Sequence, residues 1–97
     1  MKKYEIMYIV KADLDDAKRQ EVMDGMHKII TDHNGTIDKI DEWGVKEFAY
    51  EINHMTKGYY VVINISAGNE AIAEFERLVR INQSVIRHLT IKLEGEE

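Results

Sequence analysis

Apolar residues in this 97-residue chain recur at two different spacings, in a fixed order. In the first stretch, residues 3–10, Tyr4, Ile6, Tyr8 and Val10 alternate with Glu5, Met7 and Ile9, the period of a strand. Few polar residues fall on either side, which marks a central strand. The period then changes. Leu14, Ala17, Val22, Met26, Ile29 and Ile30 fall at helical spacing over residues 14–33. Asp13 is placed to cap that helix, with Asp16 in its first turn. Gly25 lies inside it at a cost of about 1 kcal/mol relative to alanine, which close packing on a sheet would explain. Asn34-Gly35 is a stop signal in the left-handed conformation.

Strand character then runs from Thr36 to Asn53. Phe48, Tyr50 and Ile52 point one way, onto a core, and Glu47, Ala49 and Glu51 point the other, to water. Gly44 permits a kink or bulge. A polar connector, residues 53–58, leads to a strand over 59–66. Asn69 can cap a second helix whose stripe is Ile72, Phe75, Leu78 and Val79, and this helix fades near Asn82. The last strand covers 85–93, and the acidic end, residues 94–97, is expected to fray.

Strand, helix, strand, strand, helix, strand is two split βαβ units. They give an α+β, ferredoxin-like sandwich: a four-stranded antiparallel sheet with both helices on one face, in a single domain over 1–97. The right-handed crossover rule places the first and third strands in the middle. Ile6, Tyr8, Ile63 and Ile65 then lie under the helices. Met7, Ile9, Tyr60 and Val62 lie on the uncovered side, and an uncovered apolar patch of this sort suggests a partner surface, the alternative being ordinary scattered surface hydrophobes.

Several chemistries have no footing here. There is no cysteine, hence no disulfide or thiolate metal site, which fits a reducing compartment. His27, His33, His54 and His88 show no i, i+4 metal spacing. No serine sits in a strand–turn–helix elbow, and the first turn, Lys11-Ala12-Asp13, has neither the glycines nor the charge to cradle phosphate. No apolar run approaches the ~20 residues of a membrane helix. Glu5 and Asp13 interrupt any signal-like opening. The reading is a non-enzyme without cofactor, metal or membrane.

A formal charge of −5 excludes nucleic-acid binding by bulk charge and leaves only localised cations. Lys2 and Lys3 beside Tyr4 form one such point, an aromatic and two cations that can sit against a sugar–phosphate backbone, although on the residues alone a solvated terminus is the favoured reading. Arg87 is expected to join them from the last strand.

The stretch Gly44-Val45-Lys46-Glu47-Phe48-Ala49-Tyr50-Glu51-Ile52-Asn53 closely resembles the signature of the bacterial small-subunit ribosomal protein six family. Lys46, Ala49, Tyr50 and Ile52 fit it, and Phe48 stands where leucine is usual. The opening Lys2-Lys3-Tyr4-Glu5, the step Gly58-Tyr59-Tyr60, and the passage Leu78, Arg80, Ile81, Val85, Arg87 are similar as well. The resemblance implies the ferredoxin-like fold, a place in the small ribosomal subunit of the bacterial cytoplasm, and binding of its ribosomal RNA beside ribosomal protein eighteen. Carried over by position, it implies RNA contacts at Lys2, Lys3, Tyr4, Lys46, Arg80 and Arg87. The protein partner is expected at Trp43 and on the open face at Met7, Ile9, Tyr60 and Val62, and the isolated chain is expected to be a monomer. The rival reading is a ferredoxin-like ligand-binding or regulatory domain that dimerises through its open sheet face.

Overall fold

The structure, a computed structural model, describes residues 2–52 and 54–93. The elements are β1 (Lys2–Lys11), α1 (Asp16–Asp32), β2 (Thr36–Ile52), β3 (Met55–Ala67), α2 (Asn69–Ile81) and β4 (Val85–Lys92). The four strands form one sheet in the order β2-β3-β1-β4, each neighbouring pair antiparallel. The first and third strands occupy the centre, as the crossover rule requires.

The core lies between the helices and one side of the sheet. Tyr4, Ile6, Tyr8 and Val10 of β1 join Val61, Ile63, Ile65 and Ala67 of β3, and Met23, Met26, Ile30, Phe75 and Val79 close over them. Strand alternation predicts this division, because the β1–β3 register pairs Ile6 with Ile63 and Tyr8 with Val61.

Local boundaries differ from the sequence reading for specific reasons. Asp15, not Asp13, caps α1: its Oδ1 accepts the Lys18 N–H at 2.8 Å. Asn69 is the first residue of α2, and the extended Gly68 precedes it without a side-chain cap bond. The α1 stop is as expected, with Asn34 at φ 67° and the Gly35 N–H donating to the Ile30 carbonyl at 2.9 Å. Gly25 does not pack on the sheet. It is exposed, and a Cβ added there meets nothing within 4 Å.

The β2–β3 hairpin extends past the rest of the sheet, since Gly58 is the last β3 residue paired with β1. Ladder pairing of Lys46 with Gly58 and Glu47 with Lys57 makes a strand of a segment whose polarity suggests a connector. The overhang also corrects the expected facing of β2. Tyr50 is 71% exposed, and Phe48 is half-buried against Tyr60 on the side away from the helices. Neither reaches the core: Phe48 faces away from the helices, and no helix covers the overhang that carries Tyr50. The Ile52 side chain, Asn53 and the acidic end 94–97 lie outside the described residues. Gly44 adopts φ 89° at a bulge between Glu42 and Gly44, the irregularity expected of it. Gly58 is needed for space: a Cβ there would collide with Cγ2 of Ile9 and lie 2.9 Å from Cζ of Phe48.

Candidate nucleic-acid and protein interfaces

The face of the sheet opposite the helices is built by the odd residues of β1 and their partners. Glu5 pairs with Ile91, Met7 with Val62 and Leu89, and Ile9 with Tyr60 and Arg87. Residues directly opposite one another share a face, so Leu89, Ile91 and Arg87 belong to this surface. Leu89 is 51% and Ile91 45% exposed. Trp43 stacks on Tyr60, with ring centroids 6.2 Å apart and planes 8° from parallel. Its indole N–H donates to Asp41 Oδ2 at 3.3 Å, and the Lys46 ammonium sits 5.7 Å above its ring centroid.

Five residues were expected to receive a partner here: Trp43, Met7, Ile9, Tyr60 and Val62. All lie on this face, but they are not equally available. Ile9 and Val62 are buried, closed over by their neighbours, whereas Trp43 is about half exposed and Met7 and Tyr60 are half-buried. The accessible apolar groups are Trp43, Leu89 and Ile91, with Met7 between them. A shallow depression of about 310 Å³ is lined by Met7, Ile9, Tyr60, Arg87, His88 and Leu89. Leu89 and Ile91 escape sequence reasoning because their facing depends on the β1–β4 register, which alternation within one short strand does not supply.

The expected RNA-facing residues separate into two groups. Lys2 and Lys3 are exposed at one end of β1 and pair with Ala67 and Ser66. Their neighbour on β4 is Lys92, paired with Tyr4, not Arg87. Arg87 pairs with Ile9, and the five residues from Tyr4 to Ile9 place it roughly 17 Å further along the sheet. At that second end Arg87 is joined by Arg80, which lines the same small depression near Val85, and by Lys11 and Lys46, both paired with Gly58. The expected meeting of Lys2, Lys3 and Arg87 is therefore corrected to two cationic ends flanking the apolar centre. The expected role of Tyr4 is corrected too. Its ring is 8% exposed and belongs to the helix-side core, so it is not presented to a phosphate backbone.

The net negative charge of the chain is unevenly distributed. On β1, β3 and β4, six cations (Lys2, Lys3, Lys11, Lys57, Arg87 and Lys92) face one carboxylate, Glu5. The excess acid lies on the helices, on β2 and in the terminal residues. Most helix ion pairs are local and exposed, such as Lys28–Asp32 and Arg77–Glu74, and contribute little stability. Among the described residues no group of three or more His, Asp or Glu is placed to hold a metal, and no helix is long and apolar enough to cross a membrane.

One polar pair lies beneath α1. The Tyr8 hydroxyl and His27 Nε2 are 2.8 Å apart. Burial pushes the Tyr8 phenol well above its ordinary range, reinforced by Glu42 and Asp24. Burial lowers His27, against the opposing pull of Asp24 and Glu42. Nearby, the Arg19 guanidinium lies 4.1 Å over the Tyr59 ring, and Tyr59 donates to Glu42 at 2.6 Å, which raises the Tyr59 phenol. These groups fasten α1 to the sheet and present nothing to a substrate.

Comparison with known proteins agrees with the fold. The ribosomal protein S6 family matches residues 3–92. The chain is similar to small ribosomal subunit protein bS6 of Halalkalibacterium halodurans, 45% identical over 92 residues that cover 95% of this chain and 97% of the relative. It is similar to that of Shouchella clausii at 46% over the same coverage. The crystal structure of 30S ribosomal protein S6 from Thermotoga maritima superposes with a TM-score of 0.90 at 30% identity, covering 95% of this chain and 87% of the other. Sequence match, sheet order and near-complete coverage lead to one conclusion: this chain belongs to the ribosomal protein S6 family.

Proposed function

We propose that the chain is a non-catalytic structural constituent of the bacterial small ribosomal subunit, acting in the cytoplasm on the ribosome. It binds the subunit's ribosomal RNA through the two cationic ends of its sheet, and ribosomal protein eighteen on its open face. The observation that carries this reading is the concentration of cations on β1, β3 and β4 around a half-exposed apolar centre of Trp43, Leu89 and Ile91.

The mechanism is cooperative. A protein of net charge −5 gains little from RNA's long-range field, so a few local phosphate contacts position it. Ribosomal protein eighteen covers the apolar centre and supplies further charge. The isolated chain is then a monomer that binds RNA weakly, and the pair binds tightly.

Filter binding with a small-subunit RNA fragment tests this. RNA affinity should rise at least tenfold when ribosomal protein eighteen is added, and gel filtration should give a monomer. Equal affinity with and without the partner would contradict the cooperative mechanism. A stable dimer would favour the regulatory-domain reading.

A further inference from the structure

The turn that ends α1 carries chemistry that neither the cationic ends nor the open face uses. Asparagine is a heat-labile residue, because the main-chain nitrogen that follows it can attack its side-chain amide. Glycine in the next position favours that attack, having no side chain to hold the two groups apart. The chain has asparagine at positions 34, 53, 64, 69 and 82, and only Asn34 is followed by glycine.

The fold treats the two halves of this dipeptide differently. Asn34 is exposed, in the left-handed conformation at φ 67°. Gly35 is buried, and its N–H donates to the Ile30 carbonyl at 2.9 Å. A Cβ at Gly35 would lie 2.7 Å from Cγ2 of Ile30 and 3.1 Å from the Ser66 carbonyl oxygen, so this backbone is enclosed between α1 and β3. The group to be attacked is in water, while the attacking nitrogen is tied down and screened from it.

We propose that Asn34-Gly35 is a deamidation site gated by opening of the turn at the end of α1. In the opened turn the Gly35 N–H gives its proton to hydroxide, and the nitrogen attacks Cγ of Asn34 to form a cyclic imide. The side-chain nitrogen leaves as ammonia, taking a proton from water. A water molecule then opens the imide at one of its two carbonyls, which leaves aspartate or an isoaspartyl link. In the closed turn the Ile30 carbonyl holds the Gly35 proton, and hydroxide does not reach it.

The product weakens the gate. A carboxylate at position 34 sits at the negative end of the α1 dipole, where an anion is unfavourable. The last turn of α1 has no basic residue, and Asp32 already stands there, its carboxylate 3.5 Å from Nζ of Lys28. The isoaspartyl route also adds a methylene to the main chain just before Thr36, whose pairing with Ser66 begins β2. Conversion is therefore a lasting mark on chains whose turn has been open.

Amide hydrogen exchange begins with the same event, loss of the Gly35 proton to base, so one opening equilibrium governs both reactions. The full chain is incubated folded and in concentrated urea at one mildly alkaline pH, and conversion of Asn34 is followed by peptide mass spectrometry. Exchange of the Gly35 amide is measured by nuclear magnetic resonance. Conversion in the folded chain should be ~10-fold or more slower than in urea, and slowed by the same factor as the Gly35 amide to within ~3-fold. Equal conversion in the two states overturns the gate, and no conversion in urea overturns the site. Slowing that departs from the exchange protection by more than that margin overturns the shared opening. Asn34→Asp reproduces the direct product and should lower the denaturant midpoint with the slope kept. An unchanged midpoint overturns the weakening of the turn.

Discussion

The Tyr8 hydroxyl on the central strand and Nε2 of His27 on α1 are 2.8 Å apart, which joins the two layers of the fold by a polar contact within an otherwise apolar interface. Replacing Tyr8 by phenylalanine keeps the ring and leaves the imidazole nitrogen without its partner. An unsatisfied half-buried group costs about 1–3 kcal/mol, so the denaturant midpoint of Tyr8→Phe should fall accordingly while the slope is kept.

The same pair sets a pH dependence. Burial lowers His27, so the folded chain binds its proton less readily than the unfolded chain does. The unfolded state then takes up more protons as pH falls below about 6.5, and stability declines from there toward the lower folded value. One proton bounds the slope at about 1.4 kcal/mol per pH unit. Chemical denaturation between pH 7.5 and 5 should show a shallower decline for His27→Gln than for the original chain.

Two glycines should respond in opposite directions. Gly58→Ala drives a Cβ into Ile9 and Phe48, and overpacking of this kind costs about 1–3 kcal/mol. Gly25→Ala meets nothing within 4 Å in mid-helix and should stabilise by about 1 kcal/mol. Thermal melts of the two variants read both signs directly.

The two cationic ends should act independently on RNA. Lys3 and Arg87 lie roughly 20 Å apart along the sheet, beyond the Debye length of about 8 Å at physiological salt. Each alanine substitution should reduce the log–log salt slope of ternary assembly by about 0.7–0.9, and the double variant by their sum. Titrations at several salt concentrations measure this.

The fold was legible because its period changes are unambiguous: Ile6 and Tyr8 pair with Ile63 and Val61 as alternation requires. The surface was legible only in part. Met7 and Trp43 follow from alternation and resemblance, but Leu89, Ile91 and Lys92 depend on how β4 registers against β1. That is a tertiary fact with no local signal. Tyr4 misleads because its two lysine neighbours suggest a wet site, while its parity with Ile6 and Tyr8 sends the ring inward. Tyr50 misleads in the opposite sense: its alternation with Ala49 and Glu51 suggests a core face, but the overhanging hairpin carries it beyond any covering helix.

The central claim is that the open sheet face docks this chain into the small subunit, and Leu89→Asp tests it most directly. Leu89 is half exposed, so a carboxylate there leaves the core intact while placing charge at the apolar centre. Tagged original and variant chains should be expressed together with the cell's own ribosomes and followed through a sucrose gradient. The account predicts that the original chain sediments with small subunits and that the folded variant remains at the top of the gradient. Equal incorporation of the two, or no incorporation of the original chain, would contradict it.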